Sequence, residues 1–189
     1  MAGHLFYDVV VAGAGVAGCY VARRLAESGL RVALVERKEK SRIGEKVCGD
    51  AISKSYFVEL GLELPGSREI EGIIRRMEIY SPSEKYVLVL QGEGYELNRK
   101  AFGQRLLREA LNAGVELYHF HHVLGPIISE GFVKGIVVRD LRDNVIKRIS
   151  ANVTVDATGI ASAIRRKLPS SWPVSEKLSL EDASIAYRE

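Results

Sequence analysis

The apolar and polar positions at the start of the chain predict a strand, a helix and a second strand. Residues 7–12 are a short, mostly β-branched run that ends at Gly13, as a fully buried parallel strand does. From Val16 the apolar side chains recur at helical spacing until Ser28-Gly29, which predicts a helix end. Residues 30–35 predict a second buried strand. We therefore expect one βαβ unit with a right-handed crossover.

The rest of the chain predicts a separate β-rich layer and then a return to the α/β pattern. Irregular residues 41–53 predict a long loop lying against a ligand. Alternation at 78–80 and 86–89, on either side of a turn at 81–84, predicts two strands of the separate layer. The further predicted elements are a helix at 102–111, a strand at 115–120, meander strands at 123–128, 132–138 and 145–149, and a buried strand at 153–157.

These elements predict two domains. Residues 1–55 and 97–166 should form one α/β domain that combines a parallel sheet with a β-meander. Residues 56–96 and 167–189 should belong to part of a β-rich second domain. The first strand should contact the strands predicted at 115–120 and 153–157 and not the one at 86–90.

Composition narrows the class of protein. The chain is 47% hydrophobic and 27% charged, as soluble globular proteins are. It has neither an apolar run of roughly 20 residues nor a signal-peptide pattern, which predicts a cytoplasmic protein. Cys19 and Cys48 lack C-x-x-C spacing, so neither a redox pair nor a zinc site is expected. The net charge of +3 is spread along the chain, which disfavours nucleic-acid binding.

The glycine motif at residues 13–18 predicts dinucleotide binding. It reads G-x-G-x-x-G and stands directly after a strand and at the start of a helix. Gly13 allows the tight turn, Gly15 lets a pyrophosphate approach the backbone, and Gly18 lets helix and strand pack closely. The helix N-terminus stabilises the phosphate charge. Glu36, at the end of the second strand, should accept hydrogen bonds from both ribose hydroxyls and disfavours NADP through like charge.

Two further motifs lie downstream. The strand ending in Asp156-Ala-Thr-Gly159 is typical of flavoproteins with two dinucleotide-binding folds, in which it lies near bound FAD. The segment 42–51, R-I-G-E-K-V-C-G-D-A, resembles the cysteine motif of archaeal geranylgeranyl reductases, which saturate the isoprenoid chains of membrane ether lipids. Further similar stretches follow in the same order, at 80–82, 92–98, 104–105, 131–135 and 186–189.

The resemblance implies a Rossmann-like two-dinucleotide FAD-binding fold with part of a β-rich substrate domain. It also implies FAD as cofactor, an isoprenoid lipid as substrate and an electron donor that the sequence does not identify; peripheral contact with a membrane is a further hypothesis. Arg99 and Arg105 are equal candidates for one FAD contact. The implied FAD-binding residues are Gly13, Gly15, Ala17, Gly18, Glu36, Arg37, Cys48, Gly49, Ala51, Arg99 or Arg105, Val123 through its backbone, Asp156 and Gly159.

Cys48 is the candidate catalytic residue. Reduction of an electron-rich trisubstituted alkene needs a proton at one carbon as hydride reaches the other, and an ordinary thiol is protonated near neutral pH. Cys48 would either donate that proton or form part of the flavin's binding wall. Cys19, on a helix face turned toward the sheet, is expected to be a small core residue. The H-x-H-H cluster at 119–122 is expected to be a half-exposed strand end and not a metal site, because no carboxylate or cysteine accompanies it at ligand spacing.

Two other functions remain open at this stage. A flavin monooxygenase of the aromatic-hydroxylase type shares the fold, but usually shows Gly-Ala-Asp-Gly where this chain has Asp156 to Gly159. A non-catalytic nucleotide-binding fragment is the other alternative. The reductase family's chains are roughly twice this long, so we expect the sequence to be an N-terminal part that does not catalyse alone.

Overall fold

The computed structural model describes residues 5–175 and 179–182, which form two compact units. The first contains the described residues up to Gly44 and those from Gly103 onward; the second contains Glu45–Phe102. Residues 45–55 thus pack with the second unit, although they carry the motif that the sequence analysis assigns to the FAD-binding domain. The functional domain boundaries stay a prediction.

The first unit is an α/β layer around one mixed sheet. Its strand order is β6-β2-β1-β9-β8-β7. The first four of these strands are parallel, and β7 and β8 continue the same sheet as an antiparallel meander. The elements are β1 (Leu5–Ala12), α1 (Val16–Glu27), β2 (Val32–Val35), β6 (Glu116–Tyr118), β7 (His121–Ser129), β8 (Phe132–Asp140) and β9 (Ile146–Asp156).

The burial of these strands explains why they are continuous apolar runs in the sequence. All four residues of β2 are buried, as are Val9 to Ala12 of β1, because parallel strands are covered on both faces. One core cluster joins the parallel strands to the meander and contains Tyr7, Val10, Ala12, Ala33, Val35, Val123, Ile136, Val138, Ile149, Ala151 and Ile164.

The second unit is a separate three-stranded sheet with the order β3-β5-β4. Its elements are β3 (Ala51–Ser53), α2 (Lys54–Glu59), β4 (Ile70–Tyr80) and β5 (Val87–Leu97), and α3 (Arg99–Asn112) begins in it. Phe57 of α2 is buried, and its ring lies edge-on to Tyr95 and Phe102. The prediction that 78–80 and 86–89 form a distinct β-rich layer is confirmed.

Several sequence predictions were wrong in detail. The strands predicted at 145–149 and 153–157 are one strand, β9, which pairs with β8 through its first half and with β1 along most of its length. Residues 51–53 form β3 at the end of the segment expected to be a loop, and α2 directly after it was not predicted. β1 contacts β9 as predicted, but the strand at 116–118 pairs with β2 and not with β1. The resemblance at 186–189 lies outside the described residues.

No helix within residues 5–175 and 179–182 is long and apolar enough to cross a bilayer.

Candidate functional site

The glycine loop of the first unit has the geometry that a bound phosphate requires. Gly13 has φ of +98°, and a Cβ there would lie 2.5 Å from the Ala157 carbonyl oxygen. A Cβ on Gly18 would lie 1.8 Å from the Gly13 oxygen, so α1 packs directly against the turn. A Cβ on Gly15 would meet no atom within 4 Å. Gly13 and Gly18 are therefore needed for packing, whereas Gly15 faces open space beside the start of α1.

That open space adjoins the first turn of α1, where backbone N–H groups have no acceptor within the helix. Gly15 is the N-cap residue and makes no side-chain cap. Such N–H groups, together with the helix dipole, form an anion site for a pyrophosphate. Because Gly15 adds no side chain there, the residues present fit a dinucleotide.

Glu36 connects the glycine loop to the end of β2. Its Oε2 accepts a hydrogen bond from the backbone N–H of Ala14 at 2.9 Å, and its Oε1 accepts one from the backbone N–H of Lys38 at 2.9 Å. A carboxylate oxygen has two lone pairs, so each oxygen retains an acceptor position for a ribose hydroxyl. Glu36 therefore shapes the loop and remains chemically suited to ribose.

Asp156 holds the Asp-Ala-Thr-Gly loop in shape. Its Oδ1 accepts hydrogen bonds from the backbone N–H and hydroxyl of Thr158, and its Oδ2 accepts from the backbone N–H groups of Ile164 and Arg165 at 3.0 Å. Burial raises the pKa of the Asp156 carboxyl, but the hydrogen bonds from Thr158, Arg165 and Ile164 outweigh it and leave that pKa below its usual value. Asp156, which the sequence predicts as a cofactor contact, thus stabilises the conformation of its own loop.

A cavity of about 90 Å³ lies where these loops meet. It brings together four predicted cofactor residues: Gly13, Glu36, Arg37 and Val123. Sequence reasoning did not assign its other lining residues, which are Val35, His121, His122, Thr158, Ala161 and Ala163. Of these, Thr158 belongs to a motif that the sequence had already placed near the cofactor.

The histidine cluster is not the half-exposed strand end that was expected. His121 is buried at the start of β7, with Nδ1 2.8 Å from the His119 carbonyl oxygen and Nε2 3.4 Å from Asp140 Oδ2. Hydrogen bonds from Arg142 and Lys147 hold the pKa of the Asp140 carboxyl well below its usual range. Among the described residues, no group of three side chains is arranged to hold a metal ion.

A left-handed residue explains why the histidines do not share one strand face. Phe120 has φ of +57°, which breaks the extended chain between β6 and β7. His119 therefore lies in a turn, and only His121 and His122 belong to a strand.

The second unit carries the cysteine motif. Cys48 is exposed, and Ala51 begins β3. Arg99 Nε lies 3.5 Å from Asp50 Oδ1. Arg105 belongs to the first unit, where Nη1 lies 3.7 Å from Glu109 Oε1. Arg99 and Arg105 therefore remain alternative candidates for the FAD contact.

Cys19 is the core residue that the sequence predicts. Its side chain is buried, and its Sγ lies 3.4 Å from the Ala14 carbonyl oxygen. Burial, together with the negative charge of Glu36, raises the pKa of the Cys19 thiol to about 12. Cys19 is therefore chemically inert, in contrast to the exposed Cys48.

Comparison with known proteins identifies the cofactor class. Residues 8–166 match the FAD dependent oxidoreductase family model. The chain is 42% identical over 185 residues to a digeranylgeranylglycerophospholipid reductase of Sulfolobus acidocaldarius, covering 98% of this chain and 41% of the relative. A second such reductase, from Methanopyrus kandleri, is 34% identical, with 89% of this chain and 42% of the relative covered. The chain thus spans about two fifths of the length of these relatives.

Solved structures agree with this fold. A geranylgeranyl bacteriochlorophyll reductase-like protein from Thermoplasma acidophilum superposes with a TM-score of 0.77 at 32% identity, over 87% of this chain and 42% of the other. A myxobacterial chondrochloren halogenase shares the fold, with a TM-score of 0.73 at 22% identity over 86% of this chain and 39% of the other. The glycine-loop geometry fits a dinucleotide, the family model identifies that dinucleotide as FAD, and the chain belongs to the FAD dependent oxidoreductase family.

Proposed function

We propose that this chain is the FAD-binding part of a reductase that saturates isoprenoid C=C bonds of membrane ether lipids. The observation that carries the proposal is the 42% identity to a digeranylgeranylglycerophospholipid reductase over 98% of the chain. The halogenase likeness, at 22% identity, supports the fold alone.

Different residues of this chain bind different parts of the cofactor. The first-turn amides of α1 bind the pyrophosphate, with Gly15 leaving room for it. Glu36 accepts the ribose hydroxyls, and Arg37 and Val123 line the same cavity. Asp156 keeps the loop up to Gly159 in place through its hydrogen bonds to that loop. The remaining contacts come from Ala17, Gly18, Cys48, Gly49, Ala51 and either Arg99 or Arg105.

Bound FAD, once reduced by an electron donor, would supply the hydride for alkene reduction. The chain must then supply or organise a proton for the other alkene carbon, since hydride alone does not add to an electron-rich double bond. Cys48 is the candidate because its thiol is exposed in the second unit. Residues 56–96 and 167–189 are the part of the substrate domain that we assign to this chain.

The test uses a completed protein, in which this chain is joined to or mixed with the additional length that the relatives have. Pre-reduced flavin is mixed with a geranylgeranyl lipid in a single turnover, and flavin oxidation is normalised to FAD content. Wild type should oxidise its flavin at the expense of the alkene, and Cys48→Ser should retain FAD but react about 10²–10⁴-fold more slowly if the thiol is the acid. Equal rates would leave Cys48 as part of the flavin's binding wall.

Absence of any lipid-dependent oxidation in wild type with full FAD content would reject the reductase. Absence of flavin retention in every mixture would instead favour a non-catalytic nucleotide-binding fragment.

A further inference from the structure

The first turn of α3 carries two cations where the helix itself disfavours them. Arg99 and Lys100 are the first two residues of α3, and the helix dipole destabilises positive charge at this end. Each of them faces a carboxylate from the segment that contains Cys48. Lys100 Nζ lies 2.8 Å from Glu45 Oε1, and Arg99 Nε lies 3.5 Å from Asp50 Oδ1. The two ion pairs therefore compensate for the unfavourable position of both cations.

The two carboxylates flank Cys48 in the sequence, three residues before it and two residues after it. They also come from the same compact unit as the turn they contact. A segment attached at both ends has far fewer conformations than one attached at a single end. The positions of Glu45 and Asp50 thus restrict the residues between them, Lys46 to Gly49.

The two attachments differ in strength. The Asp50 side chain is 8% exposed and that of Arg99 26%, whereas Glu45 and Lys100 are 33% and 54% exposed. Removal of one partner from a buried pair is costly because it leaves an uncompensated charge, while exposed pairs contribute little. The Asp50 backbone oxygen also accepts a hydrogen bond from Leu97 at 3.0 Å. Asp50 is therefore the main anchor and Glu45 the auxiliary one.

Asp50 also adopts a backbone conformation that few residues favour. Its φ is +57°, in the left-handed region, where asparagine and aspartate are the best tolerated residues after glycine. Asparagine can thus replace Asp50 without backbone strain while removing its charge. Asp50→Asn therefore removes the ion pair while leaving the backbone conformation of the turn unchanged.

We propose that Glu45–Lys100 and Asp50–Arg99 form a two-point clamp that fixes the orientation of the Cys48 thiol. Glu45 and Asp50 are positioning residues that act through the segment between them. Their role in catalysis rests on the proposed function, because it requires that Cys48 face the reacting alkene. The ordering of the segment does not depend on that function.

The clamp matters for chemistry because a proton donor must lie within hydrogen-bond reach of the atom that receives the proton. Gly49, directly beside the thiol, offers the backbone no side-chain restriction. Anchors on both sides of Cys48 compensate for that freedom.

The thiol itself provides the probe. A nitroxide methanethiosulfonate label reacts with exposed Cys48 but not with Cys19, which is 1% exposed, and labelling of Cys48→Ser measures the background. Electron paramagnetic resonance line shapes are compared for wild type, Glu45→Gln, Asp50→Asn and the double variant. Glu71→Gln is the matched control, because it removes an exposed carboxylate from the same unit. Thermal unfolding of each variant is recorded alongside.

We expect a restricted label in wild type and Glu71→Gln, and a several-fold more mobile label in the double variant, with each spectrum recorded well below the unfolding midpoint of that variant. Asp50→Asn should account for most of this change. Exchanging the exposed pair, Glu45→Lys with Lys100→Glu, should restore the smaller part of the restriction that Lys100→Glu alone removes. A general structural role would not show this rescue.

Equal mobility in wild type and the double variant would overturn the clamp. If the double variant unfolds, the label mobility of Glu45→Gln and of the exchanged pair tests the clamp instead, since these variants change only the exposed ion pair. In the completed protein, Asp50→Asn should lower the single-turnover rate per bound FAD. A restricted label in an inactive wild-type protein would instead reject the proposed reduction and retain the clamp.

Discussion

At the scale of single residues, the two acidic side chains of the nucleotide cavity act mainly on their own backbone. Glu36 accepts from Ala14 and Lys38, and Asp156 accepts from three residues of its own loop. The sequence predicts both as cofactor contacts because their positions after strands are diagnostic. It does not show that each carboxylate also organises the loop beside it. Substitutions should therefore affect folding and cofactor binding together.

Replacement of Glu36 by alanine tests this double role. Glu36→Ala removes two charge-assisted hydrogen bonds, so the free energy of unfolding without FAD should fall by about 1.5–3 kcal/mol. FAD affinity should weaken by about 1–3 kcal/mol, because the ribose hydroxyls lose their acceptor. Urea unfolding and FAD titration measure the two effects. Glu39→Ala, at a nearby exposed position, is the control, and an unchanged FAD affinity in Glu36→Ala would exclude the ribose contact.

The depressed pKa of Asp156 predicts a pH dependence of stability. Its folded-state pKa lies below the unfolded value of about 3.9, so the stabilisation is present above that value and is lost as the pH falls through the folded pKa. Asp156→Asn should cost about 1 kcal/mol at neutral pH, since the carboxylate is only partly buried and solvent screens part of its interactions. The difference between variant and wild type should shrink in urea titrations below about pH 4. Glu130→Gln, which removes an exposed carboxylate from the same unit, is the control. A difference that is independent of pH, or one that the control matches, would contradict this assignment.

At the scale of elements, the glycine loop contains two glycines that packing requires, Gly13 and Gly18, and one that ligand binding requires, Gly15. A Cβ on Gly13 or Gly18 would lie 2.5 or 1.8 Å from a backbone oxygen, while a Cβ on Gly15 would meet no atom within 4 Å. Gly15 has φ of −72°, which alanine adopts readily. The motif already predicts a different role for each glycine, and the structure adds the distances that separate the packing positions from the open one.

Two alanine substitutions should therefore behave in opposite ways. Gly18→Ala should prevent stable folding, because its Cβ would lie 1.8 Å from the Gly13 oxygen. Gly15→Ala should leave the free energy of unfolding within about 0.5 kcal/mol of wild type, yet weaken FAD binding at least about tenfold by filling phosphate space. Circular dichroism with urea and fluorescence titration with FAD distinguish the two. Normal FAD affinity in Gly15→Ala would place the pyrophosphate elsewhere.

The sequence predicts elements best where apolar periodicity is long and worst where contacts are distant. β1, α1 and β2 were found because each has an apolar pattern and a glycine boundary. α2 was missed because six residues with one buried side chain, Phe57, show no period. The His121–Asp140 pair joins neighbouring antiparallel strands, so spacing along the chain does not reveal it. The cofactor cavity was predicted in part, because its lining loops meet only after folding.

At the scale of the whole molecule, the two units differ in how well they cover their apolar side chains. The first unit has a continuous core that includes both the parallel strands and the meander. In the second, β3 pairs only with residues 94–96 of β5, so the outer part of the β4–β5 ribbon is two-stranded. Its exposed apolar residues are Met77, Ile79, Tyr80, Val87, Leu88, Val89 and Leu90. A ribbon of this kind is marginally stable alone in water and marks a surface for contact with other chain segments.

Polar replacements on this ribbon should change association and not folding. Ile79 and Leu88 are cross-strand partners and are 48% and 56% exposed. Because threonine has a high β propensity and these side chains already contact water, Ile79→Thr with Leu88→Thr should alter the free energy of unfolding by less than about 0.5 kcal/mol. The double variant should bind less hydrophobic dye and scatter less light at high concentration. Ile136→Thr, at a fully buried position of β8, should instead destabilise the chain by more than about 1 kcal/mol. A large loss of stability in the ribbon variant would show that the side chains of Ile79 and Leu88 are packed in solution. Unchanged dye binding would show that the apolar contact surface lies elsewhere.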